Sequence, residues 1–377
     1  MERKLKLLFL TNDFSAGGVQ RIIADFANRM HGERFEVEVA VLWDKPGYSF
    51  TVDQLRHDVP LTNLGFKKFW DIAGWYRLYR FIRAKRFDIV FTQLFMADLF
   101  GRTAAYLART PVIVTEIQNL IPHLPKKYIV ADRVLRHITD LCLSPTAAIT
   151  HYARDVIGYS AQDVVEVPTN SIDEKRFEAA PDVAAVRASL SVPADAPFIV
   201  SVGRLIEQKG HTVLLKAMPL VLKQLPNARA AIVGGGDLHD ALLAETKQLG
   251  LEDSVTFAGI RKDIPAIMQS ADVFAFPSLY EGQGVVLFEA MFSHLPIAAS
   301  GVGGILDVIK DNETGLLAPP GDPAALAHAL VRLLTDASLR ARVCEQALLA
   351  YGDRTLTHSA AVLGDVLLKV YAQKLTK

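Results

Sequence analysis

VFAFPSLYEGQGVVLFEAMFSHLP, residues 273–296, reads as one strand, one glycine-containing turn and one helix. Four apolar residues, Val273 to Phe276, stop at Pro277. A turn follows in which Gly282 and Gly284 free the backbone, and helical apolar periodicity then runs from Val285 to Leu295. The first amides of such a helix have no intrahelical acceptor and sit at the positive end of its dipole, a setting that suits a phosphate. Glu281 precedes the helix and Glu289 lies about one turn into it, too far apart to hold one atom. Carboxylates there accept hydrogen bonds from hydroxyls, as a sugar and a ribose require. The same pattern also occurs in α/β proteins that bind nothing at this turn, so the surrounding chain decides.

Outward from this unit the same grammar repeats. Strand patterns at Phe198–Val202, Ala230–Val233 and Val255–Ala258 alternate with helical patterns at His211–Leu225 and Leu238–Leu249, and Asp322 with Pro323 marks another helix start. In the first half, strands are expected at Leu5–Thr11, Val37–Leu42, Asp88–Thr92, Val112–Thr115, Leu141–Ser144 and Val164–Val167, with a first helix at Val19–Met30. Strands alternating with helices predict a parallel, doubly wound sheet in each half. The expected domains are 1–172 and 198–355, joined by a Pro-, Asp- and Ala-rich linker at 173–197 that contains a short helix. A final helical run at 356–377 could cross back onto the first domain.

Length and composition bound the function. The 377 residues, half of them hydrophobic, can bury two cores. The 41 basic and 41 acidic residues leave no net charge, which argues against a general nucleic-acid binder. Cys142 and Cys344 are far apart, so no disulfide framework exists and a reducing, cytoplasmic compartment is expected. The N-terminal apolar run is too short for a signal peptide, and no stretch reaches the roughly 18 apolar residues of a spanning helix. The expectation is a soluble chain, at most lying on the inner face of a membrane.

Residues 66–87, FKKFWDIAGWYRLYRFIRAKRF, stand apart. Lys67, Lys68, Arg77, Arg80 and Arg83 are interleaved with Trp70, Trp75 and other aromatic residues. Two readings stay open: a basic amphipathic helix lying on anionic headgroups, or an ordinary packing helix with a solvated basic side.

Ligands of parallel sheets sit beyond the carboxyl ends of the strands, which directs attention to Asn12, Asp13, Gln93, Glu116, Gln118 and Asn119 in the first half. Gly17 and Gly18 open the first helix where a backbone could approach a ligand closely, or could merely turn. In the second half Arg204 and Lys209 follow its first strand as two cations suited to a departing diphosphate, although surface cations are common in loops. Gly234 and Gly235 follow its second strand.

Taken in order, GGVQR (17–21), VPTNSID (167–173), SVGRLIEQKG (201–210), IVGGGDL (232–238), FAGIRKDI (257–264), PSLYEGQGVVLFEAM (277–291) and GLLAPPGD (315–322) resemble the retaining glycosyltransferases of family 4, the glycosyl transferases group 1. The resemblance covers nearly the whole chain. It implies the GT-B fold, two Rossmann-like domains facing across a cleft. It also implies transfer of a hexose-type sugar, with retention, from a UDP- or GDP-linked donor to a saccharide or lipid-linked saccharide, as in bacterial envelope polysaccharide or lipopolysaccharide synthesis. By that resemblance Arg204 and Lys209 hold the diphosphate, Glu281 meets sugar hydroxyls and Glu289 the ribose. Gly234, Gly235, Gly282, Gln283, Gly284 and Val285 line the donor site, with Gly17 and Gly18 opposite and Asn170 facing the cleft. No cofactor beyond the donor is implied. No metal is expected, because the chain lacks D-x-D and any clustered His/Cys ligand set, and a cationic pair can replace a divalent ion.

The chain departs from the family at three places. Many relatives carry a histidine after the strands at 88–92 and 112–115, where Gln93 and the run Glu116-Ile117-Gln118-Asn119 stand here. A glutamine can hydrogen-bond but cannot carry a proton near neutral pH. Gln283 replaces a packing residue in the usual E-G-F-G. His123 lies near in sequence as a lone loop histidine. A same-fold phosphorylase or hydrolase, and a non-catalytic sugar-nucleotide binder, remain the alternatives.

Overall fold

The computed structural model describes residues 3–14, 18–43, 55–68, 70–118 and 125–376. Contacts divide the chain into two compact units, residues 1–171 with 354–377 and residues 172–353. Among the described residues the first unit runs β1 (Leu5–Thr11), α1 (Gly18–Met30), β2 (Phe35–Val41), β3 (Leu61–Asn63), α2 (Ile72–Lys85), β4 (Ile89–Gln93), α3 (Phe95–Ala108), β5 (Val112–Glu116), α4 (Lys126–Leu135), β6 (Leu141–Ser144), α5 (Ala147–Tyr152) and β7 (Val164–Glu166). These strands form one parallel sheet in the order β3-β2-β1-β4-β5-β6-β7. A parallel pair needs a crossover, and the crossover helices cover both faces. That is why β1, LKLLFLT, is apolar on both faces over Leu7–Leu10, which pair with Ile89–Thr92 of β4.

The second unit runs α6 (Val183–Ser189), β8 (Phe198–Val202), α7 (His211–Leu222), β9 (Arg229–Val233), α8 (His239–Gln248), β10 (Val255–Gly259), α9 (Ile264–Gln269), β11 (Val273–Phe276), α10 (Val285–Phe292), β12 (Ile297–Ser300), α11 (Ile305–Val308), β13 (Leu316–Ala318), α12 (Pro323–Thr335) and α13 (Ala337–Tyr351). Its sheet is again parallel, in the order β10-β9-β8-β11-β12-β13. Asp322 caps α12 through the Ala324 and Ala325 amides at 2.9 and 3.0 Å, with Pro323 at the first helical position. The three strands not expected from sequence, β3, β12 and β13, have three or four residues each, too few to show a period.

Residues 173–197, read above as a linker, pack inside the second unit. Leu190, Val192 and Ala196 are buried in its core. Arg187 staples the segment to the sheet by donating to the Ser270 and Ala196 carbonyls and pairing with Asp272 at 3.0 Å. The last helix, α14 (Leu356–Leu375), packs on α1 in the first unit with Leu356, Ala360, Leu363 and Leu367 buried. Burying one such leucine contributes about 1.5–3 kcal/mol. Tyr371 reinforces the contact by donating to Asp88 at 3.1 Å, the same carboxylate that Arg3 and the Lys6 amide hold.

The basic aromatic segment is not helical from Phe66. The helix starts at Ile72, because the Asp71 carboxylate accepts from the Gly74 amide and caps it. Phe66, Leu78 and Ile82 enter the core, and Trp75, Tyr79 and Phe81 pack against it. Arg77 is committed to the fold, donating to the Leu64 and Gly65 carbonyls at 2.9 and 2.7 Å. On the surface remain Trp70 (77% exposed), Ile72 (82%) and Tyr76, with Lys67, Lys68, Arg80 and Arg83 exposed beside them in sequence. Among the described residues no helix is long and apolar enough to cross a membrane.

Candidate active site

In the second unit the strand order reverses between β8 and β11, the place on a parallel sheet's carboxyl edge where ligands bind. Residues 203–210 and 277–284 form that edge. The Leu279 amide donates to the Gln208 carbonyl at 2.8 Å, and Gln208 Nε2 donates to the Tyr280 carbonyl at 3.1 Å. Gly210, at φ +62°, lets the loops touch, since a Cβ there would stand 2.0 Å from the Pro277 oxygen. Close apposition brings Lys209 Nζ onto Glu281 Oε2 in an ion pair that also receives Ser278 Oγ at 3.5 Å. Lys209 Nζ lies 5.1 Å from the Phe276 ring centre, and its stem runs along Gly203. Glu281 is buried, whereas Arg204 is exposed and has no acidic partner among the described residues. The edge thus holds one neutralised cation and one uncompensated one.

Glycines bring the neighbouring loops in. A Cβ on Gly234 would stand 1.9 Å from the Gly203 oxygen, and one on Gly236 2.6 Å from the Leu205 oxygen. Gly235 accepts from the Leu205 amide at 2.9 Å. After β12, Gly304 would place a Cβ 1.3 Å from the Gly282 oxygen, and its amide donates to the Glu281 carbonyl at 3.1 Å. Gly284, at φ +76°, begins α10, and no side chain caps that helix before Val285. Gln283 is buried next to it. One turn on, Glu289 is buried and takes Arg176 Nη1 at 3.4 Å. Arg204, Lys209, Gly234, Gly235, Glu281, Gly282, Gln283, Gly284, Val285 and Glu289 therefore border one sheet edge. Such an arrangement can hold an anion between Arg204 and the start of α10 and hydroxyls at the carboxylates.

In the first unit the order reverses between β1 and β4. Glu116, at the end of β5, is buried and accepts from Gln93 Nε2, at the end of β4, and from Thr169 Oγ1. Burial pushes its carboxyl up, against the hydrogen bonds that favour the ionised form. Gln118 and Asn170 are also buried. One residue upstream, Thr92 and Thr115 both donate to Asp98 at 2.5 Å, and burial raises that carboxyl to about 7. Asn12 and Asp13 are engaged by the fold. The Asn12 oxygen accepts from the Ala97 amide at 2.9 Å in the first turn of α3, and Asp13 receives Gln20 and Trp43 at 3.3 Å. Gly18 starts α1 with nothing within 4 Å of where a Cβ would stand. Gly17, Asn119 and His123 lie outside the described residues.

Features absent from the sequence reading are Gly303 and Gly304, the Arg176 partner of Glu289, the buried His211, and Leu94 at φ +71° directly after Gln93. A glycine pair after a strand, GVGG at 301–304, was a legible signal. A left-handed leucine, which costs of order 1–3 kcal/mol, has none. Among the described residues no three His, Cys, Asp or Glu side chains are grouped to hold a metal ion.

Two family models match the chain, Glycosyltransferase Family 4 over residues 16–176 and Glycosyl transferases group 1 over residues 182–349. The chain belongs to the family 4, group 1 glycosyltransferases. This glycosyltransferase is 32% identical over 194 residues to the lipopolysaccharide core biosynthesis glycosyltransferase LpsE of Rhizobium meliloti, covering 51% of its own length and 54% of that protein. It is 25% identical over 329 residues to the UDP-Gal:alpha-D-GlcNAc-diphosphoundecaprenol alpha-1,3-galactosyltransferase of Escherichia coli, covering 85% of each chain. A solved structure of HepE from Anabaena in complex with UDP-glucose matches with a TM-score of 0.85 at 22% identity, over 97% of this glycosyltransferase and 100% of that chain. That likeness, with the two parallel-sheet α/β units, shows the GT-B fold.

Proposed function

We propose that this glycosyltransferase moves a hexose, with retention and without a metal ion, from a UDP- or GDP-linked donor to a saccharide or lipid-linked saccharide acceptor. The observation that carries the reading is the convergence of Arg204, the Lys209–Glu281 pair and the uncapped start of α10 at the β8/β11 reversal. Arg204, Lys209 and the first amides of α10 around Gly284 and Val285 would take the diphosphate. Glu281 would accept from sugar hydroxyls and Glu289 from the ribose. The C1–O bond to the diphosphate breaks toward Arg204 and Lys209, the acceptor oxygen bonds to C1 on the same face, and its proton passes to a departing phosphate oxygen. No protein nucleophile is consumed, unlike the carboxylate pair of a retaining glycosidase.

The test is calorimetric titration of EDTA-treated protein with UDP, GDP, UDP-glucose, UDP-galactose, UDP-GlcNAc and GDP-mannose. Metal-free binding of one nucleotide and its sugar is expected; no binding to any of them overturns the reading.

The acceptor class draws support from two relatives, one named for lipopolysaccharide core biosynthesis and one for a diphosphoundecaprenol-linked sugar. It fits a chain working at the inner face of a bacterial membrane, where Trp70, Ile72 and Tyr76 would enter the headgroup layer beside Lys67, Lys68, Arg80 and Arg83. Flotation with vesicles containing phosphatidylglycerol should recover wild-type protein. Changing Lys67, Lys68, Arg80 and Arg83 to Glu should abolish recovery, at roughly 1 kcal/mol per removed charge before reversal is counted. Arg77 is left unchanged because it holds the fold. Undiminished flotation of the variant would remove the membrane contact.

A further inference from the structure

His211 is the first residue of α7, two positions after Lys209, and is 3% exposed. Neither ring nitrogen completes a well-formed hydrogen bond among the described residues, although the backbone of Arg204 and Gly203 lies close enough to favour the protonated ring. A neutral imidazole carries one donor and one acceptor, and burying either unsatisfied costs about 1–3 kcal/mol. Burial, together with the nearby Lys209 charge, pushes the imidazole down to about 4, so the ring is neutral at physiological pH. An apolar ring in the same place would incur no such cost. Groups left unsatisfied in this way concentrate where function outweighs stability.

The surroundings indicate what the ring can do. Gly203 and Arg204 are the segment that Gly234 approaches so closely that a Cβ there would stand 1.9 Å from the Gly203 oxygen, and it carries the exposed, acid-free guanidinium. An imidazole or amide at position 211 can offer that segment a side-chain hydrogen bond that an apolar ring cannot.

Resting on the donor-site reading above, we propose that His211 is a positioning residue for Arg204: its ring hydrogen-bonds the Gly203–Arg204 backbone when Arg204 engages the donor's diphosphate, fixing the guanidinium on the anion. His211 touches no substrate. Its effect therefore runs through Arg204 and is confined to ligands carrying a diphosphate.

The experiment is a double-mutant cycle on nucleotide affinity, read by calorimetry with UDP and GDP as probes and with uridine and guanosine as phosphate-free controls, alongside thermal melts. Expected for His211→Phe is a melting temperature at or above wild type, about tenfold weaker nucleoside diphosphate binding and unchanged nucleoside binding. The tenfold loss should vanish in an Arg204→Ala background, because coupled residues are not additive. His211→Gln, which keeps an amide donor and acceptor, should bind within about threefold of wild type, and it provides the measurement if the phenylalanine variant fails to fold: a loss as large for Gln as for Phe, or as large in the Arg204→Ala background, overturns the assignment. Unchanged diphosphate affinity in His211→Phe, or a loss shared equally by the nucleosides, also overturns it. Wild-type protein that binds neither UDP nor GDP fails at an earlier step, removing the donor site and this inference together.

Discussion

Arg204→Ala is expected to lower turnover of the donor sugar about 10²–10³-fold, the range for loss of one preorganised donor to a charge that develops in the transition state, while leaving the melting temperature where it was. The second half of that expectation gives the measurement its force. Arg204 is exposed and has no acidic partner among the described residues, so its removal breaks no ion pair. A truncation that costs activity and no stability acts on the reaction. Lys209→Ala should differ: a similar loss of turnover comes with destabilisation, because the buried Glu281 carboxylate loses its cation. Adding Glu281→Gln to Lys209→Ala should restore stability without restoring turnover. Release of UDP or GDP from the donor chosen by calorimetry measures the rates. Arg204→Ala with near wild-type turnover would end the electrophile assignment.

Gly304→Ala should unfold or rebuild the second unit's binding edge. The added Cβ would lie 1.3 Å from the Gly282 oxygen, a distance no rotation of the methyl group relieves because the methyl has no alternative rotamer and the obstacle is backbone. Gly304 also anchors the same turn through its amide to Glu281. The chain must move the 281–284 turn, the start of α10, or both. A cost above about 4 kcal/mol is expected, in the tail of single-substitution effects. In a unit of this size it corresponds to a fall of roughly 10 °C or more in melting temperature. Nucleotide binding should be lost with it. Gly18→Ala is the matched control: nothing lies within 4 Å of the new methyl, so stability should change by no more than about 0.5 kcal/mol. A Gly304→Ala protein that melts with wild type and binds nucleotide would show that the turn is not held as described.

Much of this was legible in the chain. Leu5–Thr11, Leu141–Ser144, Phe198–Val202 and Val273–Phe276 are strands over the residues expected, because a strand buried on both faces needs a largely apolar run, which Pro145, Gly203 and Pro277 end in the last three. The position of the cations and carboxylates beyond the carboxyl ends of β8 and β11 was legible as well, since the strands before them are local apolar runs. The 173–197 segment was misread as a linker because its Ala, Asp and Pro content resembles one. What holds it to the second core is Arg187 reaching carbonyls distant in sequence. At Asn12 only the tertiary structure shows that its side-chain oxygen is taken by the Ala97 amide.

The sequence by itself determined the two doubly wound sheets and the residue types at their carboxyl edges, because periodicity, proline and glycine act locally. Only the tertiary structure decided which of those groups are engaged and which stay open: Lys209 neutralised by Glu281, Arg204 left exposed, Glu289 met by Arg176, Glu116 shared by Gln93 and Thr169. Each pairing joins residues far apart in sequence, and at the Lys209–Glu281 edge Gly210 lets the two backbones approach. Long-range contact of that kind has no local signature in the chain.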